Sequence, residues 1–269
     1  MIYLDGNQFG RLKSKHCKRA DLQAEFDLAV QRCRRKALQG LLEKIDSEDG
    51  WRIEINGEAL CRLETLLWGG DELIWVVPAW KGWDALASFY AASKDCAFGG
   101  ERLTHAGSLV FCSHKAPIHR ITRLAKNLVS LVKGPRRQRQ RQRNLYAYQV
   151  LETYDDVGVS LEDYRRQRWP DFESEEGLIL DGEAMGKLAG QVADIKTAVP
   201  RRKLQRIAQT SLGGSGQKEA ADRLDKILEG ILYKAAPEAL DGLNEAFGPG
   251  IPRWLHLADL WDYLPEGEN

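Results

Sequence analysis

The sequence lacks long apolar runs and has no net charge, and both features exclude classes of protein. No stretch of its 269 residues approaches the roughly 20 apolar residues that a membrane-spanning helix needs, so we expect no transmembrane segment. Met1 to Leu4 form a strand-like run without the basic and long apolar regions of a secretory signal, and we therefore expect a cytoplasmic location. The 39 basic and 39 acidic side chains cancel, which argues against a surface that is basic overall and built for nucleic acid.

Cysteine is also scarce, and its spacing argues against two kinds of site. The chain has five cysteines, an odd number, and none of them forms a C-x-x-C pair, so we expect neither a disulfide framework nor a zinc knuckle. We predict that these residues are reduced and act as small buried hydrophobic side chains. They are Cys17, Cys33, Cys61, Cys96 and Cys112.

The order of apolar patterns predicts an α+β protein. Ile2 to Leu4 is typical of a strand, the apolar period from Leu22 to Ile45 predicts an amphipathic helix, and Asn56-Gly57 predicts a hairpin. Further apolar runs predict more strands and a second amphipathic helix before the helical period takes over. We therefore divide the chain into an α+β domain, residues 1–152, and a small helical domain, residues 153–269.

Acidic residues end the first strand and follow a Gly-Gly turn between two apolar β segments. Asp5 comes directly after Leu4, and Asp71 and Glu72 follow Gly69-Gly70. Glycine lets the backbone approach a ligand closely, and carboxylates that converge from neighbouring strands are the hard oxygen ligands that Mg²⁺ prefers. Gly69-Gly70-Asp71-Glu72 also suits a solvated β-turn, so these four residues alone leave both interpretations open.

The order of the motifs resembles a known catalytic domain. These motifs are Leu4-Asp5-Gly6-Asn7-Gln8-Phe9-Gly10, Trp68-Gly69-Gly70-Asp71-Glu72-Leu73, Ala106-Gly107, Pro117, and Leu124-Ala125-Lys126-Asn127-Leu128 before Lys133. The sequence resembles the palm polymerase/cyclase domain of the large subunit of type III CRISPR effector complexes, and it is more distantly similar to the GGDEF diguanylate cyclases. The resemblance covers roughly residues 1–152 and implies a ferredoxin-like palm with a central antiparallel sheet, followed by a small helical domain.

The resemblance also implies an activity. Palms of this kind join nucleoside triphosphates, with ATP as the expected one, into a cyclic di- or oligonucleotide second messenger in antiviral defence. The HD nuclease domain and the first, inactive palm of the large subunit have no counterpart here, so the chain looks like a minimal, stand-alone CRISPR-type polymerase. His105 stands where the family often has serine, which leaves the base preference open. Because ring closure needs two nucleotides facing each other, we expect a homodimer or larger assembly.

The resemblance assigns the catalytic metal ligands residue by residue. Asp5 matches the acid of the first strand, and Gly6 would offer its backbone carbonyl. Asp71 matches the metal-binding acid of the turn, and Glu72 is the second acid, where the family usually has aspartate. Together these residues would hold two Mg²⁺ or Mn²⁺ ions.

Further residues are assigned to the nucleotide. Lys126 and Lys133 would neutralise the charge of the triphosphate. The backbone N–H groups of residues 8–10 would hold phosphates, and the side-chain amide of Asn7 could contact a base or ribose. The lysines suit a solvated surface equally well. The nucleotide-binding set is Gly6, Asn7, Gln8, Phe9, Gly10, Gly69, Gly70, Lys126 and Lys133.

A dense basic segment leaves a second function open. Arginines alternate with glutamines from Arg136 to Arg143, a pattern typical of a solvated loop and also suited to phosphates of a nucleotide or RNA. With the helical tail, this segment supports an alternative hypothesis. In that alternative the chain is a catalytically weak palm that binds RNA or a protein partner within a CRISPR-type complex.

Overall fold

The computed structural model describes residues 1–134, 142–151, 175–211 and 217–265. The strands in these ranges are β1 Ile2–Gly6, β2 Arg52–Ile55, β3 Glu58–Cys61, β4 Glu64–Gly69, β5 Glu72–Val76, β6 Ala97–Phe98, β7 Glu101–Arg102, β8 His105–Phe111, β9 Leu145–Val150 and β10 Leu180–Asp181. The helices are α1 Phe9–His16, α2 Ala20–Ser47, α3 Gly82–Ser93, α4 Ile118–Val132, α5 Ala184–Ala189, α6 Val192–Ala198, α7 Arg201–Ser211, α8 Lys218–Ala235, α9 Pro237–Phe247 and α10 Ile251–Leu260.

Two successive β-α-β segments build the centre of the main sheet. The chain runs from β1 through α1 and α2 to the β4–β5 hairpin, and then through α3 to β8. β1 lies between β5 and β8 and is antiparallel to both, while β4 pairs with β5 at the sheet edge. The apolar runs Ile2–Leu4 and Leu73–Trp75 explain this central position, because strands covered on both faces carry continuous apolar residues. The chain is an α+β protein.

The strands at the centre of the main sheet are antiparallel, but the sheet as a whole is mixed, which the sequence did not predict. β9 pairs with β8 in parallel, and β10 adds to β9 in antiparallel orientation. The reason is α4, which connects β8 to β9. A helical crossover returns the chain to the end from which it started, so the next strand runs parallel to the previous one.

Opposite faces of β1 contribute to two separate cores. Ile2 and Leu4 belong to a large buried cluster with side chains of α2 and α3. Tyr3 and Ile74 belong to a second cluster, which α4 covers with its buried apolar side chains. The period of two along the strand thus fixes which helix each residue meets. Asp5, two residues after Tyr3, consequently lies on the α4 side.

The C-terminal helices share the larger core with the sheet. Leu228 of α8 and Trp254 of α10 are buried in the same cluster as Ile2, and the Trp83 ring of α3 packs edge-on against Phe247 of α9, with 5.9 Å between ring centres. β10 adds a further strand to the sheet from this part of the chain. The division at residue 152 stays a prediction, since residues 152–174 lie outside the described ranges.

One pair of cysteines contradicts the expectation of reduced thiols. Cys33 of α2 and Cys96 are joined by a disulfide, with 5.8 Å between their Cα atoms. The two residues are 63 positions apart, and α2 and the segment before β6 meet only in the folded chain, so their sequence spacing gave no sign of the pair. Cys17 is buried as expected, whereas Cys61 is exposed.

Two further expectations from the sequence concern membrane-spanning helices and the arginine-rich segment. Among the helices of the described ranges, none has both the length and the apolar composition required to cross a membrane. Most of the arginine-rich segment, residues 135–141, lies outside the described residues. Of its arginines, Arg143 is described, and its guanidinium pairs with Asp181 of β10.

Candidate active site

The ends of β1 and β5 bring the predicted acidic residues together at one edge of the sheet. Asp5 lies directly opposite Glu72 in the β1–β5 register, and the backbone N–H of Gly6 donates to the carbonyl oxygen of Asp71 over 3.1 Å. Gly69 pairs with Glu72 across the hairpin, so Gly70 and Asp71 form the two-residue turn. Gly70 has φ 51°, a left-handed conformation that glycine adopts without a Cβ penalty.

Asp5 and Glu72 lie on the α4 face of the sheet. The Tyr3 hydroxyl donates a 2.9 Å hydrogen bond to Oε1 of Glu72 and thereby fixes the orientation of that carboxylate. Burial raises the pKa of Tyr3 far above its usual range, and its hydrogen bond to Glu72 and the nearby charge of Asp5 add to the effect. Tyr3 therefore remains a hydrogen-bond donor to Glu72 at neutral pH.

Asp71 instead lies against Gly6, on the side of α1 and α2. A Cβ at position 6 would come within 2.8 Å of Cβ of Asp71 and of the Phe9 ring. Any larger residue would displace the turn or the first helix, so glycine is required for this close approach. Asp5 and Asp71 thus flank Gly6 from opposite faces of the sheet, and Glu72 lies opposite Asp5 in the strand register.

Lys133, which follows α4, reaches the backbone between these acids. Its Nζ lies 2.7 Å from Oδ1 of Asp5 and donates a 2.8 Å hydrogen bond to the carbonyl oxygen of Gly6. Burial raises the pKa of Asp5, the hydrogen bond and charge of Lys133 oppose that rise, and the charges of Asp71 and Glu72 reinforce it. The site is therefore an acidic cluster that a single ammonium partly neutralises.

The donor atoms at this point suit a divalent cation. Within the described ranges, no group of three or more His, Cys, Asp or Glu side chains is arranged as a ligand set. However, the Asp5 carboxylate and the Gly6 carbonyl already share one cation, the Lys133 ammonium. Both are hard oxygen donors of the kind that Mg²⁺ and Mn²⁺ prefer, and Asp71 lies on the adjacent turn. The residues present therefore fit the metal that the sequence predicts.

A cavity of about 560 Å³ opens beside Asp71, between the first two helices and the hairpin turn. Gly10 leaves this space open, because nothing lies within 4 Å of the position of a Cβ there. Gln8, with φ 58°, directly precedes α1, and the first N–H groups of a helix are available to anionic ligands. The cavity is lined by Phe9, Gly10, Lys13, Phe26, Asp27, Val30, Gln31, Arg34, Gly70 and Asp71.

Arg34 is a functional candidate that the sequence reasoning missed. The residue is only 6% exposed, yet its Nε and Nη1 find no hydrogen-bond partner among the described residues. The guanidinium lies 5.1 Å from the centre of the Trp68 ring, and the charge of Asp71 favours its charged form against the cost of burial. Its position four residues after Val30, on the buried face of α2, was the available signal.

Two of the predicted nucleotide contacts have other partners in the structure. The Asn7 side-chain amide donates to Oγ1 of Thr104 over 3.1 Å and to the carbonyl oxygen of Arg143 over 3.2 Å, which ties the loop before α1 to neighbouring segments. Lys126 lies with its Nζ 5.4 Å from the centre of the Tyr3 ring. Lys133 is the lysine of the predicted pair that contacts the backbone and the acid of β1.

His105 is a core residue behind the site. Its ring packs edge-on against Phe9 and Phe89, with 5.3 and 5.0 Å between ring centres. Burial lowers the pKa of His105 to about 3, and the charges of Lys133 and Arg34 contribute. The imidazole is therefore neutral at physiological pH and supports the ring of Phe9 from beneath.

No family model matches the chain, and the search of curated proteins finds no significant match.

Proposed function

We propose that this protein is a metal-dependent nucleotidyltransferase with a ferredoxin-like palm, which joins nucleoside triphosphates into a cyclic di- or oligonucleotide. The observation that carries the proposal is the juxtaposition of Asp5, the Gly6 carbonyl and Asp71 beside the 560 Å³ cavity. The antiparallel order β8-β1-β5-β4, with connecting helices, is the topology expected of such a palm. Antiviral, CRISPR-type signalling is the role that the sequence resemblance suggests.

Different residues of the site would contact different parts of a nucleoside triphosphate. The cavity between α1 and α2 is large enough for a nucleotide, since small-molecule sites begin at about 300 Å³. Phe9 and Phe26 offer apolar surface to a base, while Arg34 and the start of α1 offer positive charge and N–H groups to phosphates. Lys133 adds a second positive charge on the opposite side of Gly6.

The reaction joins the 3′-oxygen of one nucleotide to the α-phosphorus of another. The bond between that phosphorus and the pyrophosphate oxygen breaks, pyrophosphate leaves, and the hydroxyl proton passes to solvent. Divalent ions at Asp5, Gly6 and Asp71 would lower the pKa of the attacking hydroxyl and stabilise the leaving pyrophosphate. Glu72, oriented by Tyr3, adds negative charge to the ligand set. Two nucleotides must face each other for ring closure, so we propose that two copies of the chain associate.

The direct test is to incubate the purified protein with Mn²⁺ and the four nucleoside triphosphates, and to resolve the products by mass spectrometry. The proposal predicts a cyclic product whose formation stops when EDTA is added. Its mass also identifies the base and the ring size. Failure to form any phosphodiester product, combined with binding of RNA or a protein partner, would favour the alternative of a catalytically weak binding subunit.

A further inference from the structure

We propose that Lys133 competes with the divalent cation for the site: its ammonium occupies the cation's position in the nucleotide-free protein and moves to the triphosphate when metal and nucleotide bind. This inference rests on the proposed function, because it concerns the same metal ligands. It goes beyond the proposed function because it assigns Lys133 two successive partners, the metal ligands first and the triphosphate afterwards.

The geometry at Gly6 carries the first part of the inference. Nζ of Lys133 lies 2.7 Å from Oδ1 of Asp5 and 2.8 Å from the carbonyl oxygen of Gly6. A divalent ion would bind these same two oxygens at about 2.0–2.6 Å. An ammonium and a dication cannot both lie within 3 Å of one pair of oxygens, because their like charges repel strongly at that separation. Metal binding therefore requires the ammonium to leave.

The attachment of Lys133 allows that movement. The residue follows α4, and its backbone N–H remains bonded to the carbonyl oxygen of Val129 over 2.9 Å. Its side chain is 27% exposed, and the four-carbon stem of lysine carries a mobile point charge. The side chain can thus change partner while the helix stays in place. A triphosphate that reaches from the cavity past Gly6 to the metal would bring phosphate oxygens to the side of the sheet on which Lys133 lies.

This arrangement couples the metal to the nucleotide. Metal alone displaces Lys133 from Asp5 and Gly6 and adds no negative charge to the site, whereas metal with a triphosphate brings new negative charge that the ammonium can pair with. Each ligand consequently strengthens the binding of the other, and such coupling is reciprocal. The nucleotide-free protein holds divalent ions weakly.

The experiment measures Mn²⁺ binding to the full chain without nucleotide, from the loss of the free Mn²⁺ signal in electron paramagnetic resonance. If Lys133 occupies the position in four fifths of the molecules or more, Lys133→Gln tightens Mn²⁺ binding by about fivefold or more. Lys115→Gln is the matched control, since it removes the same charge at an exposed side chain in the turn before α4. The control changes Mn²⁺ affinity by less than about twofold. Lys133→Arg retains a cation and keeps the affinity weak.

A second arm measures nucleotide binding with Mn²⁺ at saturation. Lys133→Gln then weakens the binding of a non-hydrolysable ATP analogue, because the triphosphate has lost a counter-charge. Opposite changes for metal and nucleotide are a signature that a purely structural lysine would not produce. Circular dichroism confirms that the variants are folded.

The outcomes separate this inference from the proposed function. Mn²⁺-dependent product from the wild-type chain, with Lys133→Gln binding Mn²⁺ no more tightly than wild type, overturns the competition alone. Failure of every variant to bind Mn²⁺, together with no product, overturns the proposed function as well.

Discussion

The guanidinium of Arg34 lies 5.1 Å from the centre of the Trp68 ring, at the wall of the cavity that ends at Asp71. Burial lowers the pKa of Arg34, and Asp71 opposes that effect. Two guanidinium nitrogens have no acceptor among the residues that the structure describes. A buried cation with unused donors is costly in a protein interior. This cost is offset if the donors meet an anionic ligand.

Arg34→Gln should weaken binding of a non-hydrolysable nucleoside triphosphate by about 10- to 100-fold, because a charge-assisted hydrogen bond contributes about 1.5–3 kcal/mol. Isothermal titration calorimetry measures the change. Arg35→Gln is the matched control, since the neighbouring arginine is exposed on the same helix. Binding of the corresponding nucleoside should change little in Arg34→Gln, and an equal loss for nucleoside and triphosphate would contradict phosphate binding by this residue.

Asp71→Asn should reduce the rate of product formation by at least about 100-fold and leave the fold intact. The loss follows from removing one metal ligand, since each 1.4 kcal/mol of transition-state stabilisation is worth about tenfold in rate. The residue lies in a half-buried turn, so its replacement should hardly alter the thermal unfolding midpoint. Asp95→Asn, at an exposed turn position, is the control. Near-normal turnover in the Asp71 variant would remove this residue from the ligand set.

His105 should make the fold sensitive to acid. The pKa of His105 is about 3 in the folded protein, against 6.5 for an unperturbed histidine such as that of the unfolded chain. Between pH 6.5 and pH 3 the unfolded chain therefore binds a proton at this residue that the folded chain does not bind. The corresponding stability is present above pH 6.5 and is lost as the pH falls towards 3, at about 1.4 kcal/mol for each pH unit.

Urea unfolding of wild type and His105→Phe at pH 6.5 and pH 5 measures this contribution. Phenylalanine suits the aromatic surroundings of Phe9 and Phe89. Wild type should lose about 2 kcal/mol more than the variant between the two pH values. His119→Gln, which removes an exposed imidazole, should follow wild type. Equal losses in wild type and His105→Phe would show that His105 titrates normally.

The chain should self-associate under conditions in which it forms product. Sedimentation velocity should show a dimer or larger species, and its population should rise with protein concentration by mass action. The physical reason is that ring closure needs two nucleotides held face to face, and Asp5 and Asp71 define a single site in the described part of the chain. A strict monomer that still makes cyclic product would contradict this expectation.

Local sequence patterns predicted the elements that carry the site, and tertiary packing determined the rest. The apolar period from Leu22 to Ile45 corresponds to α2, and Asn56-Gly57 connects β2 to β3. The parallel pairing of β9 was not foreseen, because the direction of a strand depends on where its connecting helix packs. β10 has only two residues and is a strand only because it pairs with β9, so no local sequence pattern could predict it.

The sequence predicted the grouping of the acidic residues but not the contacts that Lys133 and Asn7 make. The acids of Asp5 and the Gly-Gly turn follow apolar strands, and the pairing of those strands brings them together. The contact between Lys133 and Gly6 spans 127 positions and depends on how α4 packs against β1. The partners of Asn7 likewise come from distant segments, which sequence spacing cannot show.

The most direct measurement follows radiolabel from α-³²P nucleoside triphosphates into phosphatase-resistant product, in parallel for wild type, Asp5→Asn and Asp71→Asn. An internal phosphodiester is protected from phosphatase, whereas unreacted triphosphate releases its label. We predict resistant label from wild type with Mn²⁺, none with EDTA, and at least about 100-fold less from either variant. Wild-type protein that binds Mn²⁺ and nucleotide but yields no resistant label, or equal label from all three proteins, would contradict nucleotidyl transfer at Asp5 and Asp71.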